Sequence, residues 1–109
     1  MINYDEFKKV EIRIGKIISA EKVPDTDKLL RLEVDLGEEE PRQIVSGIAP
    51  YFEDPSELEG ITCAFVTNLE PRTIRGLESN GMIFAALDED GNFSLLRPDD
   101  SIKVGTLLT

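Results

Sequence analysis

The chain contains no histidine, no tryptophan and only one cysteine. Without histidine it lacks the side chain that most often serves as a general base near neutral pH, and the commonest nitrogen ligand for metals. The single thiol, Cys63, can close no disulfide within one protomer and can build no cysteine-rich zinc site. It lies in the apolar run "GITCAFVTN", where a cysteine reads as a small hydrophobe rather than a nucleophile, and a reducing cytoplasm is the expected setting. The start "MINYDEFKK" carries acids and precedes no long apolar stretch, so neither a signal peptide nor a membrane-spanning helix is expected. No GxxxxGKS or GxGxxG run is present to cradle a nucleotide phosphate. In "DEDGN" the glycine comes too early for a calcium loop and no glutamate stands at the twelfth position, which leaves a turn. Neither a metal nor a cofactor is expected.

Basic residues are scarce too. Twelve lysines and arginines face 22 acids, for a formal net charge of -10. Such a balance excludes broad, charge-driven association with nucleic acid, because the surface repels the phosphate backbone. Any such site must be local. The acids cluster at Glu38, Glu39 and Glu40, at Asp88, Glu89 and Asp90, and at Asp99 and Asp100, as solvated loop tips do.

What is present describes a folded unit. With 109 residues, 40% hydrophobic and 31% charged, the chain is long enough to bury a core as a single domain over 1–109. Short β-branched runs separated by turn signals about every ten residues predict an all-β barrel or sandwich. Asn3 is placed to cap a helical turn through Phe7 and Lys8. Val10, Ile12 and Ile14 alternate with charged residues. The apolar phase then shifts after Gly15, predicting a bulge or sharp coil in a long first strand. Leu30, Leu32, Val34 and Leu36 alternate with Arg31, Glu33 and Asp35 in the clearest half-buried strand. A third strand is expected over 43–45, a capped helical turn in "DPSELEG", a fourth strand over 61–68, and a fifth over 82–87 that returns through "DEDGN" as a hairpin. The tail 99–109 is too short for its own core and is expected to lie on the barrel or on a second subunit.

Among the few cations, Arg42 precedes "QIVSG", Lys28 follows a turn, and Arg72 and Arg75 occupy "NLEPRTIRGLESNGM", a long connection between two strands. Small barrels bind oligonucleotides through a sheet face and neighbouring loops, using a few cations for phosphates. The competing reading pairs Arg72 and Arg75 with Glu70 and Glu78 across a solvated loop. Composition leaves both open.

Four segments then carry a resemblance: "FKKVEIRIGKI", "DKLLRLEVDLGE", "RQIVSGIAPYF" and "TNLEPRTIRGLESNGMIFAA". In this order and separation they resemble the tRNA-binding domain family. That family includes stand-alone dimeric tRNA-binding proteins, the C-terminal domain of methionyl-tRNA synthetase and a cytokine-like domain of multisynthetase complexes. The resemblance implies a five-stranded oligonucleotide-binding (OB) barrel with a short helix between strands 3 and 4 and a C-terminal dimerisation extension. It implies a homodimer that binds tRNA by shape without catalysis, alone or with a synthetase catalytic domain in cis or trans. By position, the RNA-contacting residues it implies are Lys28, Arg42, Ser46, Asn68, Arg72, Arg75, Ser79 and Met82. Arginines suit forked phosphate contacts, Lys28 a point charge, Asn68 and Ser79 sugar or base edges, and Met82 an unstacked base. Ser46 equally fits a tight turn and Met82 a core strand. Glu70 stands where the family often has lysine, and Val23 where it often has histidine; both lower the local positive charge. Ile102, Val104 and Leu107 in the apolar tail are the candidate dimer contacts. Two other readings are a chaperone-like dimeric barrel that binds peptide segments, and a dimerisation module whose RNA site has decayed.

Overall fold

The computed structural model describes residues 1–109. A short helix, α1 (Tyr4–Phe7), opens the chain, with the Asn3 side chain accepting a hydrogen bond from the Glu6 N–H at 2.9 Å. The long strand β1 (Ile12–Lys22) then organises the whole fold. Its first part, Ile12 to Lys16, pairs antiparallel with β4 (Thr62–Val66), and its second part, from Lys16 on, pairs antiparallel with β2 (Leu30–Asp35). Adding β3 (Arg42–Ser46) beside β2 and β7 (Met82–Ile83) beside β4 gives a five-stranded sheet in the order β3-β2-β1-β4-β7. The sheet curls until its two outer strands approach each other, which makes the barrel, one of the two forms the strand pattern predicts, nearly closed and OB-like as the family resemblance implies.

Two local features allow β1 to serve both halves. At Gly15 an added Cβ would stand 2.7 Å from a Val34 methyl and 2.9 Å from the Phe65 ring, so only glycine lets the core close there. The register shifts between Ile17 and Ser19, which turns Ile18 outward while Ile17 stays fully buried. The phase shift in the sequence is therefore a bulge at Ile18, a few residues beyond Gly15.

The core follows the strand alternation. Leu30, Leu32 and Val34 of β2 are fully buried, while Arg31, Glu33 and Asp35 between them are half-buried. They meet Ile17, Ile44, Leu58, Cys63 and Phe65 in one apolar cluster. Each such side chain contributes roughly 1.5–3 kcal/mol of transfer free energy. Burial pushes the Cys63 thiol up to about 12, which keeps it protonated and unreactive.

Several boundaries differ from the sequence pattern. Between β3 and β4 the expected helix is a pair of 3-10 turns, Ala49–Tyr51 and Pro55–Leu58, the second capped by Asp54 accepting from the Ser56 N–H at 3.0 Å. The strand expected over 82–87 breaks at Phe84. Met82 and Ile83 stay on the barrel, whereas β8 (Ala85–Leu87) leaves it to pair with β9 (Phe93–Leu95). The connection 68–81 is not irregular but a hairpin of β5 (Arg72–Ile74) and β6 (Leu77–Ser79).

The tail completes the barrel. Gly105 donates to the Ile14 carbonyl at 2.7 Å, Ile14 to Thr106 at 2.9 Å and Leu108 to Ile12 at 2.8 Å. Residues 105–108 thus cover the edge of β1 that β2 leaves bare.

Candidate nucleic-acid interface

The β5–β6 hairpin turns through Arg75 and Gly76, both with positive φ (52° and 79°). That is the geometry of a two-residue type I′ turn, matched to the twist of the paired strands and suited to glycine at its second position. The turn presents Arg75 at the tip and Arg72 at the first paired position, both exposed. Neither side chain forms an ion pair or a hydrogen bond within the protein, so the expected alternative pairing with Glu70 and Glu78 does not occur. With no partner inside the protein, the five N–H donors of each guanidinium remain available to an oxyanion.

Beside them Met82 is 45% exposed and, with Arg72, Leu69, Glu70 and Val45, lines a small cleft of about 70 Å³. Met82 is therefore a surface residue of β7, not part of the core. Glu70 lines the same cleft, and its negative charge opposes that of Arg72. Lys28 is exposed, and its carbonyl accepts from the Ala49 N–H at 3.0 Å. Ser46 ends β3 half-buried, and Gly47 after it has open space where a Cβ would stand.

The other three expected residues have different surroundings. Ser79 is only 4% exposed; its Oγ accepts from the Val45 N–H at 3.0 Å and lies 3.2 Å from the Gly81 carbonyl. Asn68 accepts from the Glu11 N–H at 2.8 Å and donates to the Lys9 carbonyl at 2.6 Å, tying the N-terminal segment to the end of β4. Arg42 grips both Glu38 carboxylate oxygens at 2.8 Å and donates through Nη1 to the carbonyls of Thr67 (2.6 Å) and Asn80 (3.2 Å). Hydrogen bonding from Arg42 holds the Glu38 carboxyl below its ordinary value, and Glu38 in return raises Arg42. Nearby, hydrogen bonds from Arg13 and Thr67 lower Glu11.

Comparison with known proteins decides the family. The family described as "Putative tRNA binding domain" matches residues 12–107. The chain belongs to this family. It is 54% identical over 105 residues to a methionine–tRNA ligase of Methanospirillum hungatei and 46% identical over 106 residues to that of Methanosarcina mazei. Each alignment covers 96–97% of this chain and 15% of the ligase, so the chain spans a small fraction of these relatives. Among solved structures, a MetRS-related protein from Pyrococcus horikoshii has a TM-score of 0.91 at 40% identity, covering 100% of this chain and 98% of the other. The chaperone CsaA from Bacillus anthracis has a TM-score of 0.86 at 29% identity, covering 100% and 99%. This chain is thus a tRNA-binding domain related both to methionyl-tRNA synthetases and to a CsaA-type chaperone.

Against that background, the tRNA-binding domain shows two features that pattern reading passed over. Arg97 is the third arginine, with Arg72 and Arg75, that enters no ion pair, whereas Arg13, Arg31 and Arg42 are all paired. It follows a strand that the sequence places in an apolar hairpin, and nothing in its spacing sets it apart. Gln43 and Thr67 anchor the hairpin through contacts 25 or more residues apart in the chain, for which local sequence holds no signal.

Proposed function

We propose that this domain is a non-catalytic, structure-specific tRNA-binding module of the cytoplasm, acting as a homodimer alone or beside a synthetase catalytic domain in cis or trans. The observation that carries the reading is the β5–β6 hairpin, which holds Arg72 and Arg75 exposed and unpaired on an otherwise acidic protein. The reading assigns Lys28, Ser46 and Met82 to the RNA surface as well, together with Arg42, Asn68 and Ser79, whose side chains bond within the protein. So few phosphate contacts per protomer give weak binding, which a second copy or fusion to an enzyme raises through effective concentration.

Dimerisation has its own support. An open apolar hollow of about 410 Å³ is lined by Ile14, Ala64, Phe84, Leu96, Ile102 and Leu107. Leu96, Ile102 and Leu107 are 49%, 41% and 47% exposed, whereas Val104, the remaining candidate contact, is half-buried and lines a separate cleft with Leu36 and Glu38. Contiguous exposed apolar surface of this kind marks an interface. No helix is long and apolar enough to cross a membrane.

Binding of bulk tRNA across a salt series tests the reading. Arg72→Ala with Arg75→Ala is expected to weaken binding and to flatten the dependence of log affinity on log salt by about 1.4–1.8. Absence of binding at low salt from a folded protein would overturn it. The second reading, a peptide-binding barrel, rests on the similarity to CsaA and on the apolar hollow, and would then take its place.

A further inference from the structure

The two arginine environments differ in how much of each guanidinium is free. Arg42 commits its Nε–H and one Nη2–H to Glu38, and both Nη1–H groups to Thr67 and Asn80, which leaves one donor of five. Thr67 and Asn80 are not arbitrary acceptors. Thr67 lies directly after β4, on the chain entering the β5–β6 hairpin, and Asn80 lies directly after β6, on the chain leaving it. One guanidinium therefore joins both roots of the hairpin.

The entering chain is tied to the N-terminal segment, where the Thr67 N–H donates to the Glu11 carbonyl at 2.9 Å and Asn68 bonds Glu11 and Lys9, and the other bonds from β3 reach only the returning strand. The Asn80 N–H donates to the Gln43 carbonyl at 2.8 Å, Gln43 Nε2 donates to the Glu78 carbonyl at 2.9 Å, and Ser79 bonds Val45. The hairpin strands pair only with each other and join no neighbouring sheet. Each root thus has its own separate ties, and Arg42 alone reaches both roots.

We propose that Arg42, locked by Glu38, is a positioning residue: it clips the roots of the hairpin together and aims Arg72 and Arg75, rather than taking a phosphate itself. This rests on the tRNA reading of the hairpin and adds a second layer to it. Glu38, an acid in a surface meant for a polyanion, acquires a role. It orients Arg42, and its charge is neutralised by the same fork.

Glu38→Ala separates the two roles of Arg42 by sign. If Arg42 were a phosphate contact, removing Glu38 would free its fork and raise tRNA affinity. As a clip, Glu38→Ala weakens binding about threefold although the surface becomes less negative, and speeds amide exchange over 69–81 in the free protein. Arg42→Ala is expected to weaken binding about tenfold while leaving the salt slope unchanged, whereas Arg72→Ala lowers the slope by about 0.7–0.9. A rise or no change in affinity for Glu38→Ala, or a slope lowered in Arg42→Ala as in Arg72→Ala, overturns the clip. Exchange in the free protein decides the matter even if the unmodified domain binds no tRNA: unchanged protection over 69–81 in Arg42→Ala overturns the clip, and faster exchange upholds it. Should Arg42→Ala fail to fold, Glu38→Ala answers alone.

Discussion

The β5–β6 and β8–β9 hairpins have the same plan, three paired positions each, and almost nothing else in common. The first turns in two residues and shows an arginine at its tip. The second turns through 88–92, where Asp88 accepts from the N–H groups of Asp90 and Asn92 at 2.9 and 2.8 Å and carries no cation beside it. Anchorage differs as well. Polar bonds to β3 hold β5–β6, while β8–β9 is seated by rings: Phe93 stacks on Tyr51 at 4.3 Å and meets Phe52 edge-on at 5.7 Å. Polar anchorage can be adjusted one bond at a time without opening the core, and it suits a segment whose aim matters. Ring packing suits a segment that closes the barrel's side.

Substitutions in each hairpin can break this contrast. Phe93→Ala removes a half-buried ring from two aromatic contacts and is expected to lower stability by about 2–4 kcal/mol in urea unfolding, with the salt slope of tRNA binding unchanged. A changed slope would mean that the two hairpins are not separate. Ser79→Ala leaves the Val45 N–H without its buried acceptor, an expected loss of about 1–3 kcal/mol that should loosen β5–β6 before the rest of the barrel. Uniformly faster exchange across the whole chain would contradict a local anchor. Gly76→Ala meets no atom within 4 Å but must hold φ near 79°, so it should cost about 1 kcal/mol, and tRNA affinity should fall with it.

The smallest effect is one of pH. Because Glu38 titrates below its ordinary 4.5 in the folded protein, its contribution is present in full above 4.5 and is lost as pH falls through the lower folded value. The contribution is modest, since the carboxylate is 44% exposed. In Arg42→Ala the shift should disappear, and thermal melts across the acid range should show a flatter decline.

Much of the barrel was legible because burial imposes alternation. Leu30, Leu32 and Val34 signal their strand by period, and the adjacent Ile17 and Ile18 signal the bulge by breaking it. The β5–β6 strands are too short and too exposed to show a period, so their segment reads as a loop. Site residues were legible by type, not by engagement. A sequence shows that Arg42 and Arg72 are both arginines, but not that residues 25 and 38 positions beyond Arg42 occupy its donors. The same limit applies to Asn68, whose partners lie 57 and 59 residues away.

The strand-like tail has a consequence for handling the protein. Residues 105–108 occupy an edge of β1 whose N–H and C=O groups would otherwise point outward, unpaired. A truncation before Gly105 would turn that stretch into an open template for any extended chain, and open strand edges promote intermolecular pairing. Shortened forms of the domain should therefore lose solubility before they lose their core, and an affinity tag or fusion partner at this end needs a flexible spacer after Thr109 so that it does not pull the tail from its seat.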